Sequence, residues 1–244
     1  MTRRRWIADE VHGNTAVLVG EHALHLTRVL RAEVGQEFDV ATGDTIRLGK
    51  ITSISGDRIE FTLGKEQAVR PAPHVTLVLA IFKFDRMEWA IEKCTEIGIA
   101  RVIPVIVRRT DTHLASAAQK RHARWQRIAL QAAEQSWRAA PPEIAVPVKL
   151  RDLGGVSLSG RPEAGATVCR IVLAESEDNR RLRDALQACS GAAVLAVGPE
   201  GGWTDDELQW FRESGWIAAS LGDAILRAET AAIVAAAIAL DALR

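Results

Sequence analysis

Neither sign of charge prevails in this 244-residue chain: 31 Lys/Arg offset 31 Asp/Glu, which excludes binding to a polyanion through bulk charge. Cysteine is scarce. Cys94, Cys169 and Cys189 show no C-x-x-C spacing, and an odd number leaves one thiol unpaired. That pattern points to a reducing, cytoplasmic setting with the cysteines used as small core residues. The six histidines are scattered, and His22 and His25 have no cysteine or acid at ligand spacing, so no metal site is expected. A membrane span is not expected either, because the longest apolar run, Ala231–Leu240, is short and alanine-rich. Met1–Trp6 starts basic but lacks the apolar stretch of a signal peptide. Repeats and low-complexity tracts are absent. What is there is ordinary globular material, 48% apolar and 25% charged, enough for one large domain or a small one joined to a mid-sized one.

The balance of charge is uneven along the chain. From Arg101 to Arg138 eight Lys/Arg stand against Asp111 and Glu134, whereas from Gly198 to Arg244 three Arg stand against eight acids. The basic segment suits a phosphate-contacting surface or, equally, a solvated helix face.

Residues 1–70 read as a small β-rich unit. Strands are expected at 15–19, 37–41, 45–54 and 58–63, with turns at Gly43-Asp44 and Gly56-Asp57. One helix over 22–31 places Leu26, Val29 and Leu30 on a common face. The prolines of Arg70-Pro71-Ala72-Pro73-His74 mark a boundary. From 74 to 244 strands and helices alternate. Strands are expected at 75–81, 101–107, 167–174, 192–197 and 216–220, and helices from Asp85 to Ile97 and over 116–138, 178–188 and 227–243. Asp85 and Glu88 stand at capping-box spacing, as do Thr204 and Glu207. Such alternation predicts an α/β fold with a parallel sheet covered on both faces.

Two loops stand out. The apolar run 192–197 stops at Gly198-Pro199-Glu200-Gly201-Gly202, where open α/β sheets place ligands. Further on, Leu221-Gly222-Asp223-Ala224-Ile225-Leu226-Arg227 leads into an alanine-rich helix whose small residues favour close packing. Glycine lets main-chain N–H and C=O groups come close to a ligand, and Ile225 and Leu226 could sandwich a flat ring. G-x-G-x-x-G and G-x-x-x-x-G-K are both missing, and Glu200, Asp205, Asp206 and Glu207 would repel a pyrophosphate. Arg227 in a first helical turn is electrostatically misplaced unless it binds Glu200 or a ligand carboxylate. Glu200 and Glu229 are the acidic candidates for a general base in these loops.

These stretches resemble the RsmE-type methyltransferases of the SPOUT class, which methylate N3 of a uridine in 16S (small-subunit) ribosomal RNA. His25-Leu26-x-x-Val29-Leu30-Arg31 is similar to the signature of the family's small PUA-like RNA-binding domain. Lys83-x-x-Arg86-Met87-Glu88, Lys93–Gly98, Pro104, Arg109, Glu134-Gln135-Ser136-x-Arg138 with Pro142, and the two loops resemble its methyltransferase domain. The resemblance implies a C-terminal trefoil knot, a homodimer, small-subunit ribosomal RNA as partner and S-adenosylmethionine as cofactor. The cofactor would be held by Leu173, Gly198, Pro199, Glu200, Gly201, Gly202, Leu221, Gly222, Ile225, Leu226, Arg227 and Thr230. Arg3, Arg28, Arg31, Arg109 and Gln135 would bind RNA, with Arg4 and Arg5 beside them and Arg138 as the catalytic cation. Trp6 could stack a base but reads rather as a core residue, and Trp125 and Trp137 read as core or dimer-interface residues. Asp223-Ala224 replaces the family's usual Pro-Arg, which removes a cation from the pocket rim for which Arg227 or Arg138 could compensate. That change leaves a second reading open, an RNA-binding ribosome-assembly protein with a vestigial pocket.

Overall fold

In the computed structural model the described residues are 5–43, 45–67, 73–158 and 167–244. Arg3, Arg4, Asp44 of the first expected turn and Arg70–Ala72 of the expected boundary lie outside them. The chain divides into two compact units, Met1–Pro71 with Ala133–Pro141, and Ala72–Ala132 with Pro142–Arg244. The sequence reading divides the chain once, between 70 and 74; the structure adds the return of Ala133–Pro141 to the first unit.

In the first unit β1 (Arg5–Ile7), β2 (Glu10–His12), β3 (Thr15–Val19), β4 (Glu37–Ala41), β5 (Ile46–Ser55) and β6 (Arg58–Gln67) form one sheet in the order β1-β4-β5-β6-β3-β2. All its pairs are antiparallel except β1 with β4. Trp6, Leu18, Leu26, Val40, Ile51, Ile59 and Phe61 fill its core, so Trp6 packs inside. The β5–β6 hairpin turns through Gly56, whose φ of 60° glycine adopts without a Cβ clash. Gly49 serves a different purpose: a Cβ there would lie 2.5 Å from Val40 Cγ2 and 3.2 Å from Phe61 Cδ1. Gly49→Ala is therefore expected to destabilise this unit by about 1–3 kcal/mol through overpacking, read as a lowered thermal midpoint.

The helix expected over 22–31 is a short α1 (Glu21–Leu24) continued by a π-helical turn, His25–Val29. Leu30 N–H donates to His25 O at 3.2 Å, five residues back. The wider turn breaks the expected common face. Leu26 is buried, but Val29 is 62% exposed and Leu30 is exposed too.

The second unit holds β7 (His74–Ala80), α2 (Phe84–Ile97), β8 (Arg101–Ile106), most of α3 (Thr112–Gln135), β9 (Glu143–Ile144) and β10 (Val148–Lys149). After a 3-10 turn (Leu150–Gly155) come β11 (Val168–Leu173), α4 (Leu182–Leu186), β12 (Ala192–Val197), α5 (Asp205–Glu213), β13 (Ile217–Ala219) and α6 (Ala228–Ala242). The strands run parallel in the order β10-β8-β7-β12-β11-β13, and β9 also pairs with β8. Side chains alternate between two cores, as a sheet covered on both faces requires. Leu77, Leu79, Ile171 and Leu195 meet α2, α6 and the fully buried Trp125, while Val78, Val172, Val194 and Ala196 meet Trp203, Phe211 and Trp216.

Three local expectations are corrected. α2 starts at Phe84 behind Lys83 without a side-chain cap, so Asp85 already lies inside the helix and Glu88 is too far along to close a box. Glu88 instead accepts from Arg124 Nε at 2.8 Å and Arg121 Nη1 at 3.4 Å, which neutralises part of the basic segment internally. α3 ends at Gln135 rather than Arg138. Trp137 takes the left-handed conformation (φ 63°), and the N–H groups of Arg138 and Trp137 close on Ala133 O (2.9 Å) and Glu134 O (3.3 Å). This is a Schellman stop with tryptophan where glycine is usual. Finally, Cys169 and Cys189 are joined by a disulfide, their Cα atoms 5.5 Å apart, instead of being isolated core thiols. The β11–α4–β12 crossover brings them together across a separation of 20 residues, which spacing alone does not reveal. Cys94 stays free and buried, its thiol pushed up to about 12 by desolvation.

Candidate functional site

The carboxyl ends of β11, β12 and β13 converge on a cavity of about 270 Å³. Its walls are the loops 173–176, 197–203 and 220–226, with Arg109, Asp205 and Leu208 alongside. Local packing explains the loop sequence. A Cβ on Gly198 would come within 3.2 Å of Trp203 Nε1, and that indole N–H donates to Leu173 O at 2.9 Å in a buried bond. Gly202 (φ 69°) closes a turn onto Pro199 O at 2.8 Å. Thr204 then caps α5: its Oγ1 accepts from Glu207 N–H, while Glu207 Oε2 accepts from Thr204 N–H at 2.8 Å. The expected capping box is present.

Of the residues expected to hold a ligand, Leu173, Gly198, Pro199, Glu200, Gly201, Gly202, Leu221, Gly222, Ile225 and Leu226 line the cavity. Arg227 and Thr230 do not. Arg227 is the extended N-cap of α6 and is exposed, and Thr230 sits one turn inside that helix. Arg109, expected at RNA, forms part of the wall: Nη1 donates to Gly201 O and, at 3.2 Å, to Trp203 O. The main-chain N–H and C=O groups of Leu221–Leu226 have no hydrogen-bond partner among the described residues. Ile225 is 81% exposed, a large apolar side chain left in solvent at the rim.

Two arginines that sequence reasoning did not assign hold the loops. Arg86 of α2 lies 3.8 Å from both Glu200 and Glu229, and so takes the place beside Glu200 expected of Arg227. Glu229 is buried, and its Oε2 has no hydrogen-bond partner among the described residues. Arg181, before α4, meets Asp223 Oδ1 at 2.6 Å. It brings a cation to the altered rim, where Arg227 or Arg138 was expected to compensate. Position in the sequence gives no hint of this, because 42 residues separate Arg181 from Asp223. Ala174, Glu175 and Ser176 line the cavity too, directly beyond Leu173 at the end of the strand expected over 167–174.

Gln135 and Arg138 belong to the first unit, with Arg28 and Arg31. They do not share a helix face, since the chain reverses between them at Trp137. Arg5 donates to Trp137 O and lies 5.7 Å from that ring's centroid, so it is engaged internally, and Trp137 is part-exposed rather than core. Glu134 lies 3.5 Å from His22 Nε2, and His22 Nδ1 lies 3.5 Å from Asp9. Burial pushes the Glu134 carboxyl upward. Burial brings the Arg138 guanidinium down to about 10. Arg28 and Arg31 are exposed on the π-helical turn and just beyond it, Arg31 in the left-handed region (φ 53°).

Residues 70–240 match the model of an RNA methyltransferase domain, and residues 20–64 that of an RNA methyltransferase PUA domain. The chain belongs to this methyltransferase family. It is 35% identical to the ribosomal RNA small subunit methyltransferase E of Synechocystis sp. over 94% of this chain and 74% of that protein. Its counterpart in Rickettsia conorii is 32% identical over 96% and 93% of the two chains. Among solved structures, the Neisseria gonorrhoeae ribosomal RNA small subunit methyltransferase E bound to S-adenosyl methionine superposes with a TM-score of 0.81. That pair is 31% identical and covers 96% of this chain and 95% of the other. The second unit thus has the α/β methyltransferase fold of this family, and the first carries its PUA-like domain.

Proposed function

We propose that the protein transfers a methyl group from S-adenosylmethionine to a uridine of small-subunit ribosomal RNA, at N3. The observation that carries this is the main chain of Leu221–Leu226, which has no hydrogen-bond partner among the described residues and lines one cavity with the Gly198–Gly202 loop. A wall of N–H and C=O groups without partners among the described residues, beside Leu173, Ile225 and Leu226, fits an adenosine read through its edges and packed on its faces. Glu200 and Asp205, which would repel a polyphosphate, suit a ligand carrying a sulfonium. Bound there, the cofactor supplies a methyl group that leaves its sulfur without the bonding electron pair.

The protein's own residues do the rest. Arg109 and the Trp203 indole hold the glycine loop open, and Arg86 ties that loop, through Glu200, to the start of α6, through Glu229. N3 of uridine carries a proton, which must leave before its electron pair can take the methyl. The resulting uridinate needs a cation near O2 or O4, and Arg138, desolvated yet protonated at neutral pH, supplies it, with Gln135 fixing the base. Of the two acids expected as proton acceptors, Glu200 lines the cavity, whereas Glu229 is buried off its wall against Arg86. Arg28 and Arg31, with Arg3 and Arg4, grip RNA phosphates, and such binding weakens steeply with salt. The reading extends to a trefoil knot in the α/β domain, a homodimer and a cytoplasmic location. Among the described residues no helix is long and apolar enough to cross a membrane.

Calorimetry with S-adenosylmethionine, joined to mass-spectrometric mapping of small-subunit RNA from cells lacking the gene, tests this. Binding, and loss of one N3-methyluridine that the wild-type gene restores, is the expected result. No binding at millimolar cofactor would favour the vestigial-pocket alternative suggested by Asp223-Ala224.

A further inference from the structure

A second cavity, of about 460 Å³, lies in the same unit and shares the start of α5 with the first. Its floor is apolar, made by Ile106, Val107 and Leu150, and Trp210 closes one side. Trp210 is half-buried and held edge-on against Phe211, their centroids 5.2 Å apart, so its ring has a fixed orientation. Three cations surround this floor: Arg108, Lys149 and Arg151. All three are exposed, and neither Arg108 nor Lys149 makes a side-chain ion pair among the described residues. Arg151 has only the exposed Asp152, at 3.7 Å.

Two acids also line the cavity. Glu207 is fully used, because Oε1 accepts from Arg108 N–H at 2.7 Å and Oε2 from the N–H and hydroxyl of Thr204. Asp206 stands in the first turn of α5, where the helix dipole favours a negative charge. Arg108 and Lys149 thus stand without an ion-pair partner among the described residues, and Arg151 has one exposed partner, around an apolar slot with one aromatic wall. Such a site suits a phosphodiester with its base, and not a free anion, which has no use for the apolar floor. The adjacent residues Arg108 and Arg109 serve the two cavities separately, Arg108 lining the second and Arg109 the first.

From this we infer that the second cavity binds a nucleotide of the substrate RNA strand flanking the one that is methylated, with its base against Trp210 and its phosphate on Lys149, Arg151 and Arg108. The inference rests on the methyltransferase reading above and adds to it a place where the single strand is held beside the cofactor pocket.

The test uses the full-length protein, a labelled oligouridylate and fluorescence anisotropy over a range of salt. Lys149→Ala/Arg151→Ala removes two exposed side chains that no packing depends on. Its affinity for the RNA should fall about tenfold, and the log–log salt slope should decrease by about 0.7, the value for one phosphate contact on a single strand. Trp210→Leu keeps an apolar wall but cannot stack, and should weaken binding with the salt slope unchanged. S-adenosylmethionine affinity, measured separately, should be the same in all three proteins. RNA affinity and slope equal to wild type in the double variant would overturn the proposal, as would equal displacement of the RNA by polyglutamate. Failure of the wild type to bind the cofactor would sink the methyltransferase reading instead, and the RNA measurements would still decide this one.

Discussion

Trp203→Ala should cost about 3–5 kcal/mol of stability and abolish measurable S-adenosylmethionine binding. The side chain is 8% exposed and meets three elements at once. Its indole N–H ends on Leu173 O at the tip of β11, its ring packs edge-on against Phe211 at 4.8 Å, and Gly198 lies against its face. Truncation removes the support from under the glycine loop, and the carbonyl that Arg109 holds at residue 203 is no longer fixed in place. Trp203→Phe separates the two contributions. It keeps most of the packing and loses the hydrogen bond, so it should cost about 1–3 kcal/mol and leave weakened but saturable cofactor binding. Urea unfolding and calorimetry on both variants provide the readout. An alanine variant that binds the cofactor as tightly as wild type would show that the loop does not form the binding wall.

The difference between what could and could not be read in advance is visible in the same residues. Gly198–Gly202 and Leu221–Leu226 were legible because a glycine-rich break after an apolar strand leaves its mark in local composition. The Thr204–Glu207 box was legible because both partners lie within one helical turn. The strand–helix alternation after residue 74 was legible because hydrophobic period is a local property. Trp203 was not singled out, since its role depends on Leu173, 30 residues earlier. The roles of Arg86, legible only as part of a family motif, and of Arg181 are hidden for the same reason: each meets a loop that only the parallel sheet brings near. The disulfide and the return of Ala133–Pro141 to the first unit are also products of topology. The π-helical turn at His25–Val29 is a subtler case, because one extra residue per turn turns an apolar face into an exposed one without changing the pattern of residues.

Arg138→Ala should lower single-turnover methylation about 10²- to 10³-fold, the loss typical of a removed oxyanion-stabilising donor, while cofactor affinity stays as in wild type. Position by itself argues for a structural role, since Arg138 follows directly on the Schellman stop of α3. A second measurement is therefore needed, one that a structural role would not move. Burial lowers the guanidinium to about 10, with desolvation as the cause. The charged form is the one that stabilises a uridinate, so activity in wild type should fall as pH rises through about 10 and be unaffected by this group below it. Arg138→Ala has no such group and should lack that alkaline limb. Arg138→Lys keeps a cation, but an ammonium gives up its proton more readily when buried, so its limb should move to lower pH with part of the rate retained. If the alanine variant turned over at the wild-type rate, or all three profiles shared one alkaline limb, the cation acting on the uridine would have to be a different one.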